Sequence, residues 1–404
     1  MKIQYSHDKR QRFLTLFHLV LIPIWCSCAS YKTRYLGDGE TWENYHPDTN
    51  LTLKHRMYLI GDAGNAVSPE TTPSLSYLNK KLSEESANTS ILFLGDNIYP
   101  KGMPPRDNKI RRAAEYSLMR QLDVLIQFKG HPIFIPGNHD WKFKTIGVDE
   151  QRKFIQQHLD SYRFARDAKI FFYPENLGIG PDKINLSEHV ALLVFDSHQL
   201  LMNWNKKSTE KNSNNIRTKK YFKKKLEDTL KTLGSKHIVI AMHHPPYSYG
   251  PHGGRYNLKQ HLLPVTELES APSWLYLPLP IIGSVYVGVR TLLRVKADVH
   301  NCRYHKLRRV LLSATDQRAN VTFVSGHEHT LQYIETKGHS FVVSGSGSKS
   351  SPVGLKKNKS LFASTKIGYS VMDFYDKDQT WITYFSVRED GSHAEPIFRR
   401  KLNN

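Results

Sequence analysis

Ile91-Leu92-Phe93-Leu94-Gly95-Asp96-Asn97-Ile98-Tyr99 is a run of four apolar residues followed at once by a glycine and a carboxylate. The run is short and sharply bounded, and its residues suit both faces of a sheet. It therefore reads as a buried strand that delivers polar groups at its carboxyl end. Five further runs share this plan. Residues 57–60 stop at Gly61-Asp62-Ala63-Gly64, and residues 132–136 stop at Gly137-Asn138-His139-Asp140. Residues 189–195 stop at Asp196-Ser197, 238–242 at His243-His244-Pro245, and 321–325 at Gly326-His327-Glu328-His329.

Helical patterns lie between these runs, at about 74–86, 107–128, 151–158, 219–233 and 304–314. Strands alternating with helices predict an α/β fold with a largely buried sheet. In such folds the groups that do chemistry gather just beyond the carboxyl ends of strands, which is where the polar clusters fall. The C-terminal part changes character. Residues 340–344, 369–374 and 380–387 read as antiparallel strands separated by Gly and Asp/Lys turns.

The chain has 404 residues, 39% hydrophobic and 11% aromatic, enough to bury a large core and to exclude a fibrous or wholly disordered protein. The net charge of +20 favours anionic partners or plain solubility. Part of the excess is local, because Lys219, Lys220, Lys223, Lys224 and Lys225 read as the solvated face of one helix. No nucleic-acid module accompanies them, so nucleic acid is not the expected partner. Three cysteines, Cys26, Cys28 and Cys302, make neither a disulfide framework nor a CxxC metal pattern. Any metal must therefore be held by His, Asp and Asn.

The N-terminus reads as an address. Lys2, Lys9, Arg10 and Arg12 precede an apolar run at 13–25, then Cys26-Ser27-Cys28. That order describes a secretory signal of lipoprotein type, residues 1–28, with Cys28 or else Cys26 as the lipidated residue, an ordinary cleaved signal and an uncleaved anchor being the alternatives. The run is too short for a membrane span of about 20 residues. The expected location is the bacterial cell envelope, periplasm or surface, with a lipid anchor in the membrane. Residues 29–50 read as a polar tether and residues 203–217 as a mobile Asn/Lys/Ser-rich loop. Residues 274–289 carry no charge and read as a lid or core segment, or as a membrane-touching patch.

Hydrolysis of a phosphate ester needs charge on the phosphoryl oxygens neutralised and a water activated. Two metal ions can meet both needs, held by an acidic residue able to bridge them and by His or Asn completing each shell. Each motif is weak singly. Gly-Asp after a strand is commonly a turn, and Gly137-Asn138 satisfies turn chemistry. His243 and His244 compete for one ligand position. The ordered series of five in one chain, all of these strand ends but Asp196-Ser197, is what carries the reading.

That series resembles the calcineurin-like metallophosphoesterases, and within them the purple acid phosphatases of the short tartrate-resistant type, over about residues 55–345. Tyr99 in Gly95-Asp96-Asn97-Ile98-Tyr99 carries the closer resemblance. It implies a four-layer αββα sandwich, α/β in class, with two central mixed sheets flanked by helices. The catalytic domain would be 51–404, with an insertion at about 253–315 and C-terminal strands at 340–400. It implies one metal on Asp62, Asp96, Tyr99 and His329, and a second on Asp96, Asn138, His243 and His327. The ions would be iron with iron, zinc or manganese. The implied activity is hydrolysis of phosphate monoesters on a phosphorylated small molecule, by attack of metal-bound hydroxide. His139 would contact phosphate and leaving oxygen, Asp140 would orient His139, and His252 would assist substrate. The alternatives are a phosphodiesterase or a nucleotide or lipid-headgroup pyrophosphatase, and a non-catalytic, lipid-anchored metal-binding protein. Oligomeric state has no sequence signal.

Overall fold

The computed structural model describes residues 29–66, 72–162, 170–207, 216–257, 298–299 and 301–402. In chain order the first half contains β1 (Arg34–Tyr35), β2 (Leu53–Ile60), α1 (Pro73–Ser83), β3 (Thr89–Phe93), α2 (Arg111–Asp123), β4 (His131–Phe134), α3 (Lys144–Leu159) and β5 (Asp182–Asn185). Then follow β6 (Val190–Val194), α4 (Ser197–Asn203), α5 (Thr218–Lys231), β7 (His237–Ala241), α6 (Cys302–Thr315) and β8 (Val321–Ser325). The end of the chain is β9 (Leu331–Thr336), β10 (His339–Ser344), β11 (Ser360–Ser364), β12 (Gly368–Tyr375), β13 (Thr380–Val387) and β14 (Ala394–Lys401).

These strands form two mixed sheets. One has the order β14-β13-β12-β2-β3-β4, with β2, β3 and β4 parallel. The other has the order β1-β11-β9-β10-β8-β7-β6-β5, with β6, β7, β8 and β10 parallel. The period of two along each strand builds the layers. Met57, Leu59, Leu92 and Leu94 face the second sheet's Leu192, Val239, Val324 and Val342 in a core between the sheets. Tyr58, Ile60, Ile91 and Phe93 point the other way, onto Leu75 and Leu78 of α1, Leu118 and Leu122 of α2, and Val148 and Ile155 of α3. Ala191, Leu193, Ile238 and Ile240 do the same for α4–α6, meeting Leu200, Phe222, Leu226, Leu307 and Leu311. The result is helices, sheet, sheet, helices, as the resemblance implies. Each fully buried Leu, Ile, Val or Phe contributes roughly 1.5–3 kcal/mol, so three such cores fix the strand ends firmly.

In α5, Phe222, Leu226 and Leu230 recur every fourth residue and are buried, while Lys219, Lys220, Lys223 and Lys224 are exposed. The lysine run is a solvated helix face.

One expectation is corrected. Residues 29–50 are not a free tether, because they pack on the domain. β1 pairs antiparallel with β11, Ser30 and Val353 exchange backbone hydrogen bonds, and the Tyr35 hydroxyl donates to the Ile397 carbonyl at 2.9 Å. Tyr35 and Trp42 supply the apolar contacts that pay for the ordering. The signal segment 1–28, the centre of the 203–217 loop and the apolar segment 274–289 lie outside the described residues. Among the described residues no helix is long and apolar enough to cross a membrane.

Candidate metal centre

The parallel strands of both sheets end on the same side of the sandwich. Asp62 follows β2, Asp96 follows β3 and Asn138 follows β4. His243 follows β7, and His327 and His329 lie between β8 and β9. The turns that carry them bring backbones very close. A Cβ on Gly137 would lie 2.2 Å from Asp96 Oδ1, so only glycine allows this approach. Asp62, Asp96 and His327 adopt left-handed backbone angles, with φ of 57°, 53° and 69°. Such strain at strand ends is held in place by the packed sheets.

The donors form two groups that share one atom. In the first, the Tyr99 hydroxyl lies 2.9 Å from Asp62 Oδ1, 3.1 Å from Asp96 Oδ2 and 3.0 Å from His329 Nε2. In the second, His243 Nε2 lies 3.4 Å from the same Asp96 Oδ2, 3.1 Å from Asn138 Oδ1 and 3.3 Å from His327 Nδ1. Ligands about 2.0–2.2 Å from a common ion, at octahedral or tetrahedral angles, sit about 2.8–3.6 Å from one another. Both groups meet that spacing. Asp96, His243 and His327 are buried and offer their donor atoms within 4.8 Å of one another.

The electrostatics also fit cations. Asp62, Asp96 and Asp140 are all buried. Burial pushes the Asp62 and Asp140 carboxyls up, and Asp96 adds to both. Burial opposes ionisation of Asp96 too, but His243 and His139 outweigh it and hold Asp96 low. His243 Nδ1 donates to the Leu94 carbonyl at 2.8 Å, which leaves Nε2 facing the carboxylates. Burial disfavours a charged His243, yet Asp96 wins and raises it to about 9. Positive charge is thus drawn to Nε2, the atom a metal would take. His329 is pushed down to about 3, by burial first and then by Lys349, so it presents a neutral imidazole. That is the form that binds metal.

His244 stands behind this centre, with its ring 4.3 Å from that of His327. Its Nδ1 meets the Ser197 hydroxyl at 2.8 Å, so His243 is the member of the pair that joins the cluster. Asp196, at the sixth strand end, caps α4 and accepts from Trp141 Nε1 at 2.8 Å. The Asp196-Ser197 pair is scaffolding.

His139 lies at the rim, with its ring 4.5 Å from that of Tyr99. Its Nδ1 donates to the Pro100 carbonyl at 2.6 Å, and Nε2 lies 4.0 Å from Asp96 Oδ2. The expectation that Asp140 orients His139 by hydrogen bonding is corrected. Asp140 Oδ2 accepts instead from the backbone N–H groups of Gly137 at 2.7 Å and Asn97 at 3.2 Å. It braces two of the donor-bearing loops against each other, and Pro100 sets the His139 ring.

His252 joins the cluster, with its ring 4.0 Å from that of His327. Three neighbours complete the surroundings, and two of them, Lys349 and Asp298, escaped the sequence reading. Lys349 holds Nζ 3.6 Å above the Tyr99 ring, Asp298 meets His252 Nδ1 at 3.0 Å, and Glu328 turns inward beneath the His252 loop. Neither Lys349 nor Asp298 stands in a run that marks it, whereas Glu328 stands inside the Gly326-His327-Glu328-His329 motif. A Lys-Ser loop and a lone Asp 46 positions from His252 carry no periodic signal.

Residues 55–270, over half of the chain, match the family model of the calcineurin-like phosphoesterases. The chain belongs to that family. Members of this family use metal ions to hydrolyse phosphoric esters, which agrees with the buried His/Asp cluster. Several solved structures are similar. One is described as GAP50, the anchor in the inner membrane complex of Plasmodium, at 19% identity over 87% of this chain and 89% of that one, with TM-score 0.49. Another is purple acid phosphatase PPD1 from yellow lupin (Lupinus luteus) seeds, at 11% identity over 89% of this chain and 55% of that one, with TM-score 0.48. The third, PhoD, matches at 12% identity over 89% and 71%, with TM-score 0.50, a likeness of fold. No curated protein sequence matches the phosphoesterase.

Proposed function

We propose that this phosphoesterase is a two-metal hydrolase of phosphate monoesters. The supporting observation is the sharing of one atom. Asp96 Oδ2 lies 3.1 Å from Tyr99 of one donor group and 3.4 Å from His243 of the other. Two ions, one on Asp62, Asp96, Tyr99 and His329 and one on Asp96, Asn138, His243 and His327, would neutralise phosphoryl charge and lower the pKa of an attacking water. The Tyr99 phenol favours iron in the first position, with iron, zinc or manganese in the second.

The chain's own residues do the rest. Because the Pro100 carbonyl can only accept, it fixes the proton of His139 on Nδ1 and turns Nε2 toward Asp96. His139 is thereby placed to contact a phosphoryl or leaving-group oxygen. Lys349, stacked on Tyr99, adds a cation beside the centre, which suits the dianion of a monoester better than the monoanion of a diester.

The test compares p-nitrophenyl phosphate with bis(p-nitrophenyl) phosphate, with and without chelator, in wild type and His139→Ala. The expected result is chelator-sensitive turnover of the monoester, lowered about 10²–10⁴-fold in His139→Ala with metal retained. Preference for the diester would move the reading to phosphodiesterase. A metal-loaded chain without turnover would leave a metal-binding protein.

A further inference from the structure

The loop that carries His252 is gripped by two carboxylates from distant parts of the chain. Glu328 is almost fully buried between the two histidines His327 and His329. Its Oε2 accepts from the Ser248 hydroxyl at 2.6 Å and from the Gly253 N–H at 3.3 Å, and its Oε1 accepts from the His252 N–H at 3.4 Å. The loop lies so close that a Cβ on Gly250 would fall 2.4 Å from Glu328 Oε1. Glu328 therefore sets the backbone of His252. It does so from the turn that also carries His327.

The side chain is set from elsewhere. Asp298 is buried and places Oδ1 3.0 Å from His252 Nδ1. The contact is doubled on the backbone, where the Val299 N–H donates to the His252 carbonyl at 2.9 Å. Asp298 is itself tied to the start of α6, because the Asn301 N–H donates to its carbonyl at 2.9 Å and the Asn301 side chain caps that helix. A carboxylate can only accept here, so the proton lies on Nδ1, and Nε2 is the nitrogen that can address a substrate. The ring so held rests 4.0 Å from that of His327. His139 stands in the same relation to Tyr99, with rings 4.5 Å apart. One histidine outside the donor groups thus accompanies each group.

We propose that Asp298 is a positioning residue, which fixes the ring and tautomer of His252 so that Nε2 engages the phosphate ester, while Glu328 fixes the same residue's backbone. The family motifs do not include Asp298, and the assignment rests on the phosphomonoesterase reading above. A carboxylate behind an imidazole does no chemistry on the substrate. It removes rotamers and the wrong tautomer, which affects kcat more than the fold.

The experiment compares wild type with His252→Ala, Asp298→Ala, Asp298→Asn and the double variant His252→Ala/Asp298→Ala. It measures kcat and KM on p-nitrophenyl phosphate, bound metal, and the affinity for inorganic phosphate by calorimetry. Asp298→Ala is expected to lose about tenfold to a hundredfold, as outer residues behind an active imidazole do, with metal content unchanged. The double variant should be no worse than His252→Ala alone, since one residue acts through the other. Asp298→Asn keeps a carbonyl oxygen for Nδ1–H and should recover most of the loss. Phosphate affinity should follow the same order. Losses that multiply in the double variant, loss of metal in Asp298→Ala without rescue by Asn, or an unaffected Asp298→Ala would each overturn the assignment. If wild type itself shows no turnover, the phosphomonoesterase reading fails instead, and the phosphate affinities still decide whether Asp298 acts through His252.

Discussion

Replacing Gly137 by alanine tests how tightly the centre is built. The new Cβ would lie 2.2 Å from Asp96 Oδ1 and 2.3 Å from the Asp96 nitrogen, where ordinary contact begins at 3.4 Å. The two loops must therefore separate by about 1 Å. Neither is free to yield. Asp96 Oδ1 accepts the His139 N–H at 2.8 Å, and the Gly137 N–H is held by Asp140 at 2.7 Å. The shift falls on Asp96, the carboxylate that both donor groups share, and on Asn138 of the second group. A misplacement of about 1 Å in such a site costs about 10²-fold in rate. Overpacking alone costs about 1–3 kcal/mol, which a chain with three cores survives folded. The assay is kcat on p-nitrophenyl phosphate beside bound metal and a thermal melt. Gly137→Ala should remain folded while losing rate and the ion proposed beside Asn138 and His243. A variant with wild-type rate and both ions would refute the close-approach argument.

Four other outcomes are expected. Tyr99→Phe removes the hydroxyl shared by Asp62, Asp96 and His329, and should abolish any visible iron–phenolate absorption; a band that survives would assign the colour elsewhere. Burial raises the Asp196 carboxyl to about 6, so its contribution to stability is whole below about pH 4 and is lost as pH rises through 6. Denaturant titrations at several pH values should show that decline, on the order of 1–3 kcal/mol, and Asp196→Asn should flatten it. Phe93, fully buried and stacked on Phe134 at 4.2 Å, should cost about 3–5 kcal/mol when cut to alanine, measured by the same titrations. The proposal of lipidation at Cys28 predicts that a fatty-acid analogue labels wild type and not Cys28→Ser in an exporting bacterial host; equal labelling would point to Cys26 or refute it.

The sequence carried the parallel strands and their tails well, because a buried parallel strand must be apolar on both faces and must stop abruptly. Residues 57–60, 238–242 and 321–325 show this plainly. The edges were not legible. β14 reads Ala-Glu-Pro-Ile-Phe-Arg-Arg-Lys and β5 reads Asp-Lys-Ile-Asn, since an edge strand has one wet side and tolerates charge and proline. The docking of residues 29–50 was missed for a related reason. It rests on a two-residue strand and a few aromatic contacts, which leave no periodicity. In the centre, residues next to a glycine at a strand end could be read from the chain. Asp298 could not, nor could the grip of Glu328 on the His252 loop, because these roles come from loops meeting in space.

Anomalous diffraction from crystals of the purified protein, collected at the absorption edges of iron, zinc and manganese, addresses the main claim most directly. The account predicts two peaks about 3.5–4 Å apart, on either side of the Asp96 carboxylate, one against Tyr99 and His329 and the other against His243 and His327. A single peak away from Asp96, or none in an active preparation, would contradict it.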